Sequence, residues 1–198
     1  MPKLLYILRT SSCANKPLLH EFDRVLRAGL ESILNVQLSD EQWKQASLPV
    51  LPCGLGARSA CMLTPSAFLE SAADTLPHQE VILSASLAGV DDCAVKNAKT
   101  AWTSQANTSE PSDAVKYIQR AWDAHITMAV YNSLLQTCSS SIDQARLDVL
   151  VTPHVGDWLH APPLTFVGLR LFEEAICMAT GYRLGTNICQ PHTCVCGQ

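Results

Sequence analysis

The residue types best suited to chemistry crowd the last ten positions, Cys-Gln-Pro-His-Thr-Cys-Val-Cys-Gly-Gln (189–198). Cys189, His192, Cys194 and Cys196 are all zinc-ligand types. Zinc takes four ligands in a tetrahedron, commonly two from each of two chain segments. Cys194 and Cys196 are separated by one residue, and Gly197 lets backbone amides turn towards their sulfurs. The whole cluster is short for a closed tetrahedral site. Three readings stay open: half of a zinc site, a zinc site completed by Cys189 and His192 or by a distant ligand, or no metal function. A completed site would depress the thiol pKa values and couple folding to metal.

Two other stretches hold reactive residue types. Gly54-Leu55-Gly56-Ala57-Arg58 is a tight turn followed by a cation. Arg58 and Lys44 are the best-placed basic residues around that loop and the candidates for a phosphate contact. The bland alternative is a turn with a solvated arginine. His154-Val-Gly-Asp157-Trp158-Leu-His160 holds a His–Asp pair. No serine or cysteine sits nearby in a strained elbow of the G-x-S-x-G type, so Trp158 and Leu159 read as an anchor for an irregular loop. Cys13, Cys61, Cys93, Cys138 and Cys177 are scattered among apolar or small residues and read as small buried hydrophobes. A thiol enzyme would need a cysteine of depressed pKa beside a base, and nothing local supplies one.

The elements that must carry these residues are helical almost throughout. Leu18, Leu19, Phe22, Val25, Leu26, Leu30, Ile33 and Leu34 recur at spacings of three and four and predict one long amphipathic helix. Ser39 with Gln42 predicts a capping box for a short helix through Ala46. Residues 47–58, with two prolines and two glycines, predict a loop. Thr64-Pro65 predicts the start of the next helix. Helices are expected over 91–105, 112–137 and about 172–183, and Ser141 with Gln144 predicts another capping box. Residues 153–168 are too rich in proline and glycine to be regular. The expected fold is mainly α, an irregular helical bundle with Pro/Gly-rich loops and a short cysteine-rich C-terminal tail.

Bulk properties narrow the classes. The chain has 198 residues, 47% hydrophobic and 16% charged, which is enough apolar material for a real core and excludes a disordered charged tail. The net charge of -4 argues against strong sequence-blind binding to nucleic acid. The charge is uneven: residues 1–60 carry seven Lys/Arg against five Asp/Glu, and residues 61–145 carry four against nine. No apolar run reaches the roughly 18 to 20 residues that span a bilayer. The Leu4–Leu8 run, broken by Arg9, is short of a signal peptide. An intracellular protein, cytoplasmic or nuclear, is expected, without a membrane partner. Nine cysteines there are free thiols or ligands, not a disulfide framework.

Three separated stretches resemble one family. "WKQASLPVLPCGLGARSACMLTPSAFLESAA" (43–73) is similar to the segment after the palm in reverse transcriptases of non-LTR retrotransposons, where W-x-Q-A-x-L-P precedes G-G-L-G-I-R-S. "PHVGDWLHAPPLTFVGLRL" (153–171) and "GYRLGTNICQPHTCVCG" (181–197) resemble the C-terminal region of the same proteins, in which H-T-C-P-C-G begins a zinc knuckle. The opening "PKLLYILRTS", with Phe22-Asp23, fits the thumb. The resemblance implies a division into a thumb-like segment (1–76), a helical connection (77–152), and an irregular loop, helix and truncated zinc-knuckle-like tail (153–198).

The resemblance implies an origin and no catalysis. RNA-directed DNA polymerases of this kind need an aromatic-x-Asp-Asp turn and a further aspartate to hold two metal ions. Here Asp91-Asp92 follows Gly89-Val90, without the aromatic and downstream of the "GLGAR" loop. Cys194 and Cys196 become the first half of a knuckle whose His and Cys partners would lie further on, so zinc is expected only at an incomplete site. Cys53 replaces the first glycine of the family's G-G-L-G and would strain the chain if that position needed positive φ. Phe172 and Glu173 replace a helix cap. The expected function is a non-catalytic fragment with weak RNA or DNA binding. The alternative is a helical protein-interaction module, zinc-stabilised or not, without a nucleic-acid role. Exposed apolar helix faces would favour self-association.

Overall fold

The computed structural model describes residues 2–14, 16–82 and 93–187. Among them the protein is mainly α-helical and has no strand. The helices are α1 (Pro2–Thr10), α2 (Pro17–Leu34), α3 (Asp40–Ser47), α4 (Ala60–Ile82), α5 (Cys93–Ala106), α6 (Gln119–Thr137), α7 (Ser141–Leu150) and α8 (Glu173–Leu184). Two short 3-10 turns, Asp157–Leu159 and Thr165–Val167, punctuate the Pro/Gly-rich stretch before α8.

Local signals set several of these boundaries. α3 opens on a complete capping box: the Gln42 amide donates to Ser39 Oγ at 3.2 Å, and Gln42 Oε1 accepts from the Ser39 amide at 2.9 Å. α7 starts one residue earlier than the Ser141–Gln144 spacing predicts. Ser140 is its cap, and its hydroxyl accepts from the Ile142 amide. α8 begins at Glu173, and Phe172 at its cap position supplies no side-chain hydrogen bond. It ends on Gly185 with φ 67, where a left-handed residue lets the Thr186 amide reach the Gly181 carbonyl at 2.9 Å.

The predicted start of α4 at Thr64-Pro65 is wrong. The helix begins at Ala60 and runs through both Pro65 and Pro77. Thr64 Oγ1 donates to the Ala60 carbonyl inside the helix and caps nothing. The true cap comes from another helix. The buried carboxylate of Asp23, on α2, accepts from Ser59 Oγ at 2.5 Å, from the Ala60 amide at 2.7 Å and from the Cys61 amide at 3.2 Å. A carboxylate against three donors at a helix N-terminus satisfies amides that have no intrahelical partner and complements the helix dipole.

The chain forms two compact units, each made of two separated stretches. One unit is Met1–Leu26 with Arg58–Ser133. Its core gathers Leu69, Ala98, Trp102, Ala106, Trp122 and Ile126 from α4, α5 and α6. The two tryptophan rings meet edge to face, centroids 5.1 Å apart at 84°. Both indole N–H groups are used: Trp102 donates to the Trp122 carbonyl and Trp122 to the Lys116 carbonyl. Aromatic edge-to-face contact with satisfied N–H groups is the low-cost way to bury tryptophan. The other unit is Arg27–Ala57 with Leu134–Gln198, and its core joins Leu34, Leu38 and Ala46 to Leu184.

Candidate functional site

The "LPCGLGA" loop is the most heavily constructed feature of the second unit. It leaves α3 at Leu48, contains a cis Leu51–Pro52 bond, and folds back so that the amides of Leu55 and Ala57 both reach the Ala46 carbonyl. Gly54 is required by space: a Cβ there would stand 1.9 Å from the Leu48 carbonyl oxygen. Gly56 is required by conformation, with φ 76. Cys53 does not have positive φ, so the strain anticipated from its replacing a glycine is absent. It is fully buried instead, and burial pushes its thiol up to about 11.

Two polar side chains from outside the loop hold it in place. Arg183 on α8 is 4% exposed, and its guanidinium donates to the Gly54 carbonyl at 3.0 Å and to the Val50 carbonyl at 2.6 Å. Burial lowers its pKa from the usual value, the expected direction for a cation taken out of water. Gln45 of α3, also buried, donates to the Cys53 carbonyl at 3.1 Å and to the Arg183 carbonyl at 2.8 Å. Arg146 of α7 closes the network, donating to Gln45 Oε1 at 3.1 Å and to the Arg183 carbonyl, and pairing with Asp143. Gly156 lies against the same place, where a Cβ would stand 2.3 Å from Val50 Cγ1 and 3.4 Å from an Arg183 nitrogen. Residues from all three of the separated motifs therefore meet around one loop.

The two basic candidates lie in different units. Arg58, in the first unit, pairs with Asp123 of α6 at 3.2 Å, and both are largely buried. Burial raises the Asp123 carboxyl above the usual carboxylate range, opposed by the Arg58 charge. Lys44, in the second unit, pairs with Glu41 at 2.9 Å, and both are about half exposed. Each cation thus has an acidic partner in its own unit, and the exposed Lys44 pair is the easier to open. His154, with φ 72, holds Asp157 at 2.8 Å on an exposed surface.

The scattered thiols are less buried than expected. Cys93 is exposed and Cys13, Cys61, Cys138 and Cys177 are half-buried. Cys61 stands 3.5 Å from His20 Nδ1, an arrangement that suggests an activated thiol. Its surroundings oppose this, because burial and the neighbouring Asp23 charge push the thiol up to about 12. Native protein treated with iodoacetamide at mildly alkaline pH should be alkylated fast at exposed Cys93 and slowly at Cys53 and Cys61. Peptide mass spectrometry against time reads this, and rapid labelling of Cys61 would reopen a nucleophilic role.

The first unit also has a cleft of about 490 Å³ between α4, α5 and the segment before α6. Leu69, Val95 and Trp122 form its apolar wall, and its rim carries the ion pairs Lys99–Glu110 and Lys116–Asp113. Each of those four rim charges is already matched, so the cleft offers shape without a spare charge. Among the described residues no cluster of three or more His, Cys, Asp or Glu side chains is placed to hold a metal ion. Cys189, His192, Cys194 and Cys196 lie outside the described residues, as do Asp91 and Asp92. No helix among the described residues is long and apolar enough to cross a membrane. The chain matches no protein-family model, no curated protein and no solved structure.

Proposed function

We propose that this chain is a non-catalytic helical fragment of the post-palm type found in non-LTR retrotransposon reverse transcriptases, retaining weak contact with RNA or DNA. One observation carries the reading. The stretches 43–73, 153–171 and 181–197, singled out by resemblance while far apart in sequence, contribute Val50 and Gly54, Gly156, and Arg183 to one buried arrangement. Motif residues that meet in space behave as parts of a single inherited structure. Polymerisation is not expected, because the sequence pattern that would hold two metal ions is not matched around Asp91-Asp92.

Nucleic-acid contact is read by fluorescence anisotropy of a labelled RNA hairpin over a salt series. Binding should fall in the range of roughly 10⁻⁶ to 10⁻⁴ M typical of non-specific phosphate contact. With Lys44 meeting one phosphate, log affinity should fall with log salt at a slope of about -1. Lys44→Glu should weaken binding several-fold without unfolding the chain, since its pair with Glu41 is exposed. No binding at low salt would end the nucleic-acid part of the proposal.

A second reading, a helical protein-interaction module, is favoured by a separate observation. Large apolar side chains stand in solvent at many positions, among them Leu18, Val25, Ile33, Phe166 and Phe172. Within the first unit Leu18, Phe22 and Val25 share one exposed face of α2, and an uncovered apolar stripe marks an interaction surface.

A further inference from the structure

We propose that the outward face of α2 in the first unit pairs with the same face of a second copy of this chain, antiparallel, crossing near Phe22. This gives the interaction-module reading a named partner and rests on that reading. Leu18, Phe22 and Val25 are spaced four and three apart, the spacing of a helix-pairing seam. They are 80%, 37% and 57% exposed. The opposite side of the same stretch is committed inward, where Asp23 caps α4. A regular helical stripe of this kind fits another helix better than it fits a flat or irregular surface.

The charges beside the stripe select the occupant. Glu21 and Arg24 run along one flank and hold each other at 2.6 Å, and both are more than half exposed. A two-fold axis through Phe22 sets Leu18 of each copy against Val25 of the other. It also brings Glu21 of each copy across from Arg24 of the other. Each intrahelical pair then exchanges for an intermolecular one, with no charge left unmatched. A parallel arrangement would put this flank of the two copies on opposite sides of the seam, so neither Glu21 nor Arg24 would gain a partner across it. An isologous contact of this sort closes on itself and stops at the dimer. Three apolar side chains per copy fall well short of the ~1,200 Å² of a stable interface, so the expected dissociation constant is weak, on the order of 100 µM.

Sedimentation velocity on the full chain over a concentration series tests the pairing. Wild type should move from monomer towards dimer across the high-micromolar range. Leu18→Asp, at an exposed position, should stay monomeric while keeping the wild-type circular dichroism. Glu21→Arg alone and Arg24→Glu alone should each weaken self-association about ten-fold, since both reciprocal pairs become repulsive. An equimolar mixture of those two variants should form a heterodimer at least as readily as wild type forms its homodimer, because every facing pair is then of opposite sign. Wild type that remains monomeric at several hundred micromolar overturns the pairing. So does a dimer that Leu18→Asp leaves intact, or a mixture that shows no gain over its components. The interaction-module reading fails separately, through steep salt-dependent RNA binding by the monomer.

Discussion

Arg183→Met is expected to lower the stability of the protein by roughly 2–5 kcal/mol, among the largest effects of any single substitution outside the core. Two opposing contributions set the figure. Removing a buried cation returns its desolvation cost, and methionine refills much of the aliphatic volume. Against that, the Gly54 carbonyl loses its donor at a buried site and the Val50 carbonyl loses its donor at a partly buried one. Each buried acceptor left unpaired costs about 1–3 kcal/mol, and the lost bonds were charge-assisted. Among the described residues no carboxylate accepts from the Arg183 guanidinium, so no described counter-charge is stranded and the upper end of the range is a ceiling. Arg183→Lys should fall between, since an ammonium is a point donor and cannot reproduce the fork that spans two carbonyls. Urea denaturation followed by circular dichroism measures both. A change below ~0.5 kcal/mol for the methionine variant, the ordinary scale of surface substitutions, would show that Arg183 does not hold the loop.

Gly54→Ala should be comparably damaging for a different physical reason. A methyl group 1.9 Å from the Leu48 carbonyl oxygen cannot be accommodated by a rotamer change, because both sides of the clash are backbone. The loop must open, which also separates the Gly54 carbonyl from Arg183 and the Gly54 amide from the Pro49 carbonyl. Alanine lowers the entropy of the unfolded chain, but that favours folding by only about 0.4–1 kcal/mol. The lost bonds and the displaced backbone outweigh it, for a net loss of roughly 3–5 kcal/mol. Gly29→Ala is the control, with nothing within 4 Å of the added carbon and a helical site that prefers alanine, so it should be neutral or stabilising. Thermal midpoints of the two variants, read side by side, separate space from propensity.

Local signals in the sequence located the helices better than they located what holds them. The period of three and four placed α2 within a residue of its observed start, and the Ser39–Gln42 pair does what its spacing says. α4 was misplaced because its cap, Asp23, lies 36 residues upstream of Ser59, beyond the reach of any local pattern. The helix expected over 112–137 starts only at Gln119, because apolar Val115 and Ile118 continue its spacing of three and four without being part of it. The chain turns there instead, and the Lys116 carbonyl goes to the indole of Trp122. The glycines of the loop announced a turn, yet the side chains that fix the turn gave little warning. Gln45 reads as an ordinary polar residue in a short helix, and Arg183 as a favourable charge in the last turn of α8. Only the fold makes them buried partners of the same carbonyls.

The span of that arrangement has a consequence for synthesis on the ribosome. The Val50 and Gly54 carbonyls wait 133 and 129 residues for Arg183. The first unit takes its last residue at Ser133, so its core can consolidate while the second unit still lacks the whole of its larger stretch, Leu134–Gln198. Throughout that interval the loop after α3 has its tight turn but not its clamp. A nascent chain halted anywhere between α6 and α8 therefore exposes the same incomplete loop, and quality-control machinery would meet one recurrent partly folded species in place of a random assortment.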